Sequence, residues 1–345
     1  MTVMRAIVTG TGSIATRHLR NLRQLFPAAI LVVVSRPQGK GISAEIQSLV
    51  SEQYTDLAAA LKVPVDLAVI ATPAPFHVEQ AMTLVGQGIP TLIEKPLAVT
   101  VAECDQLLAL CRRNDVPLLV GYCLRYHPLV AILQERLAAG AIGRLYNMRA
   151  EVGQYLPNWR PGTDYRSGVT AQRALGGGAL LELSHEIDLV RSLLGMPHAV
   201  TAVAARISEL EIDVEDIAEI ILRHRVAGQE ALASIHLDLF RRVPRRRITV
   251  DGDGGSAELD FGRATLTFNP VAGAPVVHGV PDGFAINDIY LAELQDLIAC
   301  SKFGRQPLAS LAEGLATLRI VEASAQAAHS GKTISLSGEV SGDCP

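Results

Sequence analysis

The stretch VTGTGSIATRHLRNL, Val8 to Leu22, joins an apolar run to a helical pattern through two closely spaced glycines. Gly10, Gly12 and Ala15 form a G-x-G-x-x-A pattern directly after the predicted strand MRAIVT and before the predicted helix. Gly10 permits the tight turn, Gly12 lets backbone amides approach a pyrophosphate, and the small Ala15 lets helix and strand pack closely. This context predicts a dinucleotide-binding βαβ unit.

Four further apolar runs follow, with helical patterns between them. They are ILVVVS at 30–35, VDLAVIAT at 65–72, TLIEKP at 91–96 and VPLLVGY at 116–122. Strands that are apolar on both faces and alternate with helices indicate a parallel sheet covered by helices. We therefore predict an α/β Rossmann domain, a doubly wound parallel sheet, over residues 1–122.

The second part of the chain has a different pattern. Short β segments such as AVTAVAARIS, AEIILRHRV and ALASIHLDLF follow one another with few helices between them, which favours an antiparallel sheet. Helical patterns remain at 128–139, 178–194, 286–302 and 309–330. We predict an α+β domain with a large open, mostly antiparallel sheet at 123–333, followed by a tail at 334–345.

The composition excludes several classes of protein. A length of 345 residues suits two domains, and 19% charged residues with 49% hydrophobic residues are typical of a globular chain. The net charge of −4 gives no general attraction to nucleic acid or to an anionic membrane. No run reaches the length of a membrane span and the N-terminus lacks signal-peptide features, so a cytoplasmic location is expected.

The ends of the predicted strands carry the candidate cofactor-binding residues, because ligands of such sheets bind there. Ser35 and Arg36 follow the second strand, where NAD-binding proteins carry an acidic residue. An arginine neutralises a 2′-phosphate, which favours NADP, with NAD as the alternative if Arg36 is merely exposed. The candidates are Gly10, Gly12, Ser13, Ile14, Ser35, Arg36, Ala71, Thr72, Pro73, His77, Glu94, Lys95 and Arg125.

Two candidate segments lie at the ends of the predicted strands at 65–72 and 91–96. ATPAPFH, ending at His77, is stiffened by two prolines and suits the nicotinamide side of a cofactor, although His77 also fits a structural or capping role. LIEKPLAV places Glu94 and Lys95 at a strand end, where a charged pair has no packing purpose. A lysine there reaches both the nicotinamide ribose and a substrate hydroxyl, and lowers the cost of forming an alkoxide. The alternative is a salt-bridged edge pair.

The stretch GGGALLELSHEIDLV, at 176–190, carries Glu182, His185 and Asp188 at steps of three. In one helix these form a polar strip, which either lines a ligand cavity or is a solvated seam. An imidazole, with an ordinary pKa near 6.5, suits the removal of a proton from an alcohol. Glu182 and His185 also have the spacing of half a di-iron site, but the second half is missing, so no metal site is predicted.

Two further segments are rich in arginine. GQYLPNWRPGTDYR, at 153–166, combines aromatic side chains with arginines, which suits a sugar or an anionic substrate; a subunit interface is the alternative. FRRVPRRR, at 240–247, is predicted to be a solvated turn or a subunit contact, since the acidic chain as a whole does not suit nucleic acid.

Together, GTGSIA, ATPAPFH, EKPLAV, GYCLRYHP, GGGALLELSHEID and INDIYLAEL resemble the Gfo/Idh/MocA family over nearly the whole chain. The resemblance implies a Rossmann domain, a second domain with an open sheet used for substrate and subunit contacts, and a tightly held nicotinamide cofactor. Most members with this pattern oxidise or reduce a hydroxyl or ketone of a sugar or cyclitol. A homodimer or homotetramer is also implied.

The resemblance assigns roles to individual residues. Lys95 matches the lysine that contacts cofactor and substrate, and His185 matches the proton-transfer histidine of a strip that lines the substrate cavity. The family often has an aspartate where this chain has Leu181, so Glu182 is the third catalytic candidate, and Asp188 is the alternative that orients the imidazole. The candidate substrate-binding residues are Lys95, Tyr122, Tyr155, Trp159, Arg160, Asp164, Tyr165 and Asp188.

We therefore expect an NAD(P)-dependent oxidoreductase that acts on a sugar-like alcohol or ketone. Two alternatives stay open. One is a cofactor-dependent glycoside hydrolase, which oxidises its substrate transiently and shows no net cofactor turnover. The other is a non-enzymatic ligand-sensing regulator on the same fold, against which the intact Lys95 and His185 argue.

Overall fold

A computed structural model describes residues 3–36 and 41–336, which form two compact units. The first unit contains the chain up to Cys123 together with Ile286–Leu315. The second contains Leu124–Ala285 together with the chain from Ala316 onwards. The predicted domain boundaries differ from this division, because the segment 286–315 groups with the first unit.

Fifteen strands are present in the described residues. They are β1 Arg5–Thr9, β2 Ile30–Val34, β3 Glu52–Tyr54, β4 Leu67–Ile70, β5 Thr91–Ile93, β6 Leu118–Val120, β7 Leu145–Gly153, β8 Ala199–Ala205, β9 Ile217–Val226, β10 Gln229–Asp238, β11 Arg245–Gly252, β12 Gly255–Asp260, β13 Thr265–Pro270, β14 Val276–Gly279 and β15 Ile334–Ser335. They form two sheets, one in each unit.

Ten α-helices lie within the same residues. They are α1 Ser13–Leu25, α2 Ala44–Leu49, α3 Leu57–Ala60, α4 His77–Gly86, α5 Asp105–Asn114, α6 Pro128–Ala138, α7 Ala179–Glu182, α8 His185–Leu194, α9 Asp288–Phe303 and α10 Leu311–Ser330. None of the described helices combines the length and the apolar character that a membrane span requires.

The first unit is built on a six-stranded sheet in the order β3-β2-β1-β4-β5-β6. Every pairing in it is parallel, and the predicted Rossmann architecture is therefore confirmed. All five predicted strands are present, with their central residues fully buried. Strand β3 was not predicted, because this edge strand has only three residues, Glu-Gln-Tyr, and no apolar run.

Helix α9 explains why the segment 286–315 belongs to the first unit. It packs against α1, β5 and β6, and its buried residues include Ile289, Leu294 and Leu297. Asn287, just before the helix, donates a hydrogen bond of 2.8 Å to the side chain of Asn21 on α1. The apolar pattern at 286–302 correctly predicts a helix, but a pattern does not say which sheet a helix covers.

The second unit is built on a nine-stranded sheet in the order β14-β13-β12-β11-β7-β10-β9-β8-β15. All pairings are antiparallel except that between β7 and β10, so the predicted open, mostly antiparallel sheet is confirmed. The predicted tail begins at β15, whose two residues pair with β8; residues 337–345 lie outside the described part of the chain.

Strand β9 shows how this sheet divides its two faces. Ala218, Ile220 and Leu222 are fully buried, whereas the residues between them alternate outward. On the outward face Val203 is 65% exposed, Leu232 48% and Ile221 44%, so this face carries uncovered apolar side chains. The homodimer or homotetramer stays a prediction.

The predicted helix at 178–194 is interrupted. Helix α7 ends at Glu182 and α8 begins at His185, with Leu183 and Ser184 between them outside the regular helix. Three glycines precede this pair of helices, and Gly178 has a φ of +103° that favours glycine. The steps of three that place Glu182, His185 and Asp188 on one helical strip therefore do not apply across this break.

His127 couples the stability of the second unit to pH. It is 3% exposed, lies 5.2 Å from the ring centres of both Phe261 and Phe284, and its Nδ1 accepts a hydrogen bond from Leu129 N at the start of α6. Burial lowers the pKa of His127 from 6.5 to about 4. Its stabilising contribution is therefore present above the unfolded value of 6.5 and is lost as the pH falls towards 4.

We predict that the protein loses about 1–2 kcal/mol of unfolding free energy between pH 7 and pH 5 through His127 alone. His127→Asn keeps an acceptor for the helix start but does not titrate, so its loss over this range should be smaller. Denaturant unfolding at both pH values measures the difference. Parallel pH dependence in the two proteins would contradict this role.

Candidate functional site

The glycine turn after β1 forms a close backbone contact. Gly10 has a φ of +99°, and a Cβ atom placed on it would lie 2.4 Å from the carbonyl oxygen of Ala71. Only glycine fits at this position, because both the conformation and the space exclude a side chain. The turn therefore lies directly against the end of β4, as the dinucleotide-binding pattern predicts.

The start of α1 has the features of an anion site. Gly12 is the N-cap residue, no side chain caps the helix and its first turn contains no acidic residue. A Cβ atom on Gly12 would have no atom within 4 Å, so the space in front of the helix is open. The amides of the first turn, which includes Ser13 and Ile14, fit the pyrophosphate of a dinucleotide.

The end of β2 carries Ser35 and Arg36. The amide of Ser35 donates a hydrogen bond of 2.9 Å to Tyr54 O, which joins the strand end to β3. The guanidinium of Arg36 lies over the ring of Phe76, with Cζ 3.8 Å from the ring centre. The stack keeps a positive charge at this strand end, where the adenosine ribose binds in Rossmann domains.

His77 joins two loops of the first unit. It is 1% exposed, with Nε2 2.6 Å from Thr72 O and Nδ1 3.0 Å from Pro96 O. Burial lowers the pKa of His77, although hydrogen bonds to these carbonyl oxygens oppose the shift. Since both nitrogens face protein carbonyls, this geometry favours a bracing role over the predicted contact with cofactor. Ala71, Thr72 and Pro73 form the loop that it holds.

Lys95 is an accessible charged residue in the EKPLAV segment. It is partly exposed, whereas Glu94 before it and Pro96 after it are buried. Oε1 of Glu94 lies 2.7 Å from Nε2 of His18, and Oε2 accepts a hydrogen bond of 3.3 Å from the amide of Lys95. The structure therefore places Glu94 in an internal hydrogen-bond network, and presents Lys95 beside it.

Tyr122 follows β6 in the same unit. Its side chain is among the largest fully buried ones, with 1% exposure. This burial favours packing over the predicted contact with substrate.

His185 is the first residue of α8 in the second unit and is partly exposed. Glu182 ends α7 and accepts a hydrogen bond of 2.7 Å from the hydroxyl of Thr170. Glu186, which follows His185 directly, is 1% exposed and pairs with Arg246 at 2.7 Å. Glu186 was not predicted from the sequence, because it lies outside the steps of three that connect Glu182, His185 and Asp188.

Asp188 does not share the exposure of His185. It is 1% exposed, and its carboxylate accepts two hydrogen bonds of 2.7 Å from Arg125 and one of 2.8 Å from Thr317. Arg191 lies 3.9 Å from the same carboxylate. This network accounts for both Asp188 and Arg125 as a buried ion pair, which favours a structural role over the predicted contacts with substrate, imidazole or cofactor.

The polar-aromatic loop is partly held by its own contacts. Trp159 donates a hydrogen bond of 3.4 Å to Gln154 O, and Tyr165 accepts one of 3.2 Å from Glu211 N. Asp164 binds the guanidinium of Arg166 at 2.9 Å. Arg160 is exposed. These contacts order the loop, but they leave its aromatic rings only partly covered.

The arginines of the segment 240–247 each have a partner. Arg242 lies over the ring of Tyr155, with Cζ 3.6 Å from its centre. The other four pair with carboxylates: Arg241 with Asp238, Arg245 with Glu151, Arg246 with Glu186, and Arg247 with Glu258 and Asp260. The segment therefore carries mostly neutralised charge, and Arg246 connects it to the helix turn beside His185.

Two family models match the chain. Residues 4–122 match the oxidoreductase family with an NAD-binding Rossmann fold, and residues 130–258 match the GFO/IDH/MocA C-terminal domain. A D-apiose dehydrogenase of Paraburkholderia graminis is 26% identical over 96% of this chain and 89% of its own length. An inositol 2-dehydrogenase of Saccharopolyspora erythraea is 27% identical over 94% of this chain and 93% of its own length.

The chain is also similar to solved structures. One is the aldose-aldose oxidoreductase of Caulobacter crescentus complexed with glycerol, with a TM-score of 0.79 and 25% identity. The similarity covers 97% of this chain and all of that one.

The glycine turn gives a matched pair of variants. Gly10→Ala should lower the unfolding free energy by about 2 kcal/mol or more, because the added methyl meets Ala71 O. Gly12→Ala should keep the stability, because its methyl enters open space, but should weaken the binding of NADH and NADPH. Thermal unfolding and calorimetric titration measure the two effects. Equal stability of the two variants, or undiminished cofactor binding by Gly12→Ala, would contradict this assignment.

Proposed function

Because the chain belongs to the Gfo/Idh/MocA oxidoreductase family, we propose that it transfers a hydride between NADP and a hydroxyl or ketone group of a sugar or cyclitol. One observation carries the proposal. Lys95 is accessible at a strand end of the Rossmann sheet, between two buried residues that hydrogen bonds hold in place. A cationic side chain fixed at this edge serves the developing charge of an alkoxide.

Lys95 stabilises the oxygen of the reacting carbinol. The nicotinamide ring, when bound, accepts or supplies the hydride. As the C–H bond of the substrate breaks, negative charge develops on its oxygen, and the ammonium group lowers the cost of that charge. Lys95 is partly exposed, so it has access to ligand.

His185 takes the hydroxyl proton in oxidation and returns it in reduction. Imidazole is suited to both directions at neutral pH, because it is the side chain that gains and loses a proton in this range. His185 begins α8, directly before the buried Glu186, which pairs with the half-buried Arg246. Glu182 is the further catalytic candidate, with its carboxylate held by Thr170.

The substrate class rests on the relatives and on the loop at 153–166. The two curated relatives are named for D-apiose and inositol, and the solved relative for aldoses. Tyr155, Trp159 and Tyr165 offer partly exposed rings, and Arg160 an exposed donor, which match the apolar faces and polar edges of a sugar.

Activity with D-apiose, myo-inositol and a set of aldoses tests the proposal. We expect NADP⁺ reduction with at least one of them, and a fall in kcat of about 100-fold or more in Lys95→Met and in His185→Asn. Lys62→Met and His329→Asn are the matched controls at exposed positions and should keep full activity. Full activity in Lys95→Met would contradict the proposed role of Lys95. Sugar cleavage without net cofactor turnover would indicate the glycoside hydrolase.

NADP is the proposed cofactor, with NAD as the alternative. The support is Arg36, whose charge is kept at the end of β2 by its stack on Phe76. A carboxylate at this place would repel a 2′-phosphate, and the chain has Ser35 and Arg36 instead.

Arg36→Ala should raise the Kd for NADPH about 10-fold or more, and should leave the Kd for NADH nearly unchanged. Arg20→Ala, which removes an exposed arginine paired with Glu45, is the control and should change neither constant. Calorimetric titration of the unmodified protein and of both variants with NADPH and NADH measures these dissociation constants. Tighter binding of NADH than of NADPH by the unmodified protein would assign NAD instead.

A further inference from the structure

We propose that His18 and Glu293 are positioning residues for Lys95, and that they act through the carboxylate of Glu94. The inference rests on the proposed role of Lys95. It concerns a buried cluster, His18–Glu94–Glu293, formed entirely within the first unit. Its members come from α1, from the segment after β5 and from α9.

Glu94 is confined on three sides. His18 Nε2 lies 2.7 Å from one carboxylate oxygen, and the amide of Lys95 donates to the other at 3.3 Å. Gly121 lies against the same residue, since a Cβ atom there would be 3.1 Å from Oε2 of Glu94 and 3.2 Å from its Cα. Through these two contacts, Glu94 connects His18 on α1 to the backbone amide of Lys95.

The peptide on the other side of Lys95 is also held. His77 lies 3.0 Å from the carbonyl oxygen of Pro96. Buried histidines therefore contact both chain neighbours of Lys95: His18 contacts Glu94, and His77 contacts Pro96. Catalysis by a lysine depends on such preorganisation, because an error of about 1 Å in the position of a charged group costs about 100-fold in rate.

Glu293 completes the cluster as an uncharged acid. It is fully buried, its Oε1 lies 4.0 Å from His18 Nε2, and neither oxygen has a hydrogen-bond partner in the described part of the chain. Burial and the nearby charge of Glu94 raise the pKa of Glu293 well above its ordinary value, which Arg17 opposes only in part. Glu293 therefore favours its protonated form, and the hydrogen bond of His18 goes to Glu94.

The groups around the cluster offer little positive charge that would stabilise an ionised Glu293. Arg17 lies over the ring of Tyr290, with Cζ 4.3 Å from the ring centre, and Tyr290 meets His18 edge to face at 6.4 Å. Burial, together with Cys123 and Glu94, raises the pKa of Tyr290, so its hydroxyl stays neutral. A second ionised carboxylate would have Arg17 as its one compensating charge among these groups.

A bound cation is the competing explanation. His18, Glu94 and Glu293 each offer one ligand atom, and these atoms lie within 4.8 Å of one another. A divalent ion would require Glu293 to be ionised, whereas the positioning role requires it to be neutral. Glu293→Gln separates the two, because glutamine keeps the shape of the neutral acid and removes the charge.

The first test compares two substitutions of His18 with the cofactor and the sugar that supports activity. His18→Gln keeps a nitrogen donor near the place of Nε2 and should keep kcat within about 3-fold of the unmodified value. His18→Asn removes the donor from Glu94 and should lower kcat about 10- to 100-fold, with KM and the Kd for cofactor unchanged. Equal kcat in all three proteins, or equal losses in both variants, would overturn the inference.

The second test does not depend on activity. The raised pKa of Glu293 means that its folded form keeps a proton which the unfolded chain releases above its ordinary value, so stability falls as the pH rises. Glu293→Gln should therefore melt higher than the unmodified protein at pH 8, and the difference should shrink at pH 5. A lower melting temperature at pH 8, with one equivalent of metal found by elemental analysis of the unmodified protein, would assign a cation site and overturn the inference.

Lys95→Met distinguishes this inference from the proposed function. If Lys95→Met keeps full activity, the proposed function fails and the inference fails with it. If Lys95→Met is inactive while His18→Asn is folded and fully active, only the positioning role is wrong.

Discussion

The close approach of Gly10 to the carbonyl oxygen of Ala71 is the constraint on which the first unit depends. It exists because β1 lies between β2 and β4 in a parallel sheet, so their carboxyl ends share one edge. That edge carries the open helix start at Gly12, the stacked guanidinium of Arg36 and, one strand further, Lys95. The parallel order thus gathers the residues that a dinucleotide and its reaction require.

The two units share one local arrangement around their candidate catalytic residues. In each, the accessible candidate residue lies next in the chain to a buried carboxylate that has a partner: Lys95 follows Glu94, and His185 precedes Glu186. A buried charge without a partner is costly, so each pair is restricted to one geometry. The accessible side chain then starts from a fixed backbone, which reduces the entropy lost when it engages a ligand.

Patterns local to the sequence predicted much of this structure. The parallel strands, α1 and the glycine turn follow from short apolar runs and fixed spacings, and these were predicted correctly. Long-range pairings could not be predicted from local patterns: the partner of Asp188 is Arg125, and the partner of Glu94 is His18 on α1. The helix break before His185 was also missed, because periodicity continues through two residues that leave the regular helix.

Deuterium transfer from substrate to cofactor is the direct test of hydride transfer by this protein. The protein is incubated with NADP⁺ and with C-deuterated myo-inositol or D-apiose, and the reduced cofactor is analysed by mass spectrometry. We expect deuterium from the carbinol carbon to appear on the nicotinamide ring, since the reaction moves a hydride without exchange with water. Tight binding of NADPH with no label transferred from either compound or from a deuterated aldose would contradict hydride transfer from a sugar-like alcohol.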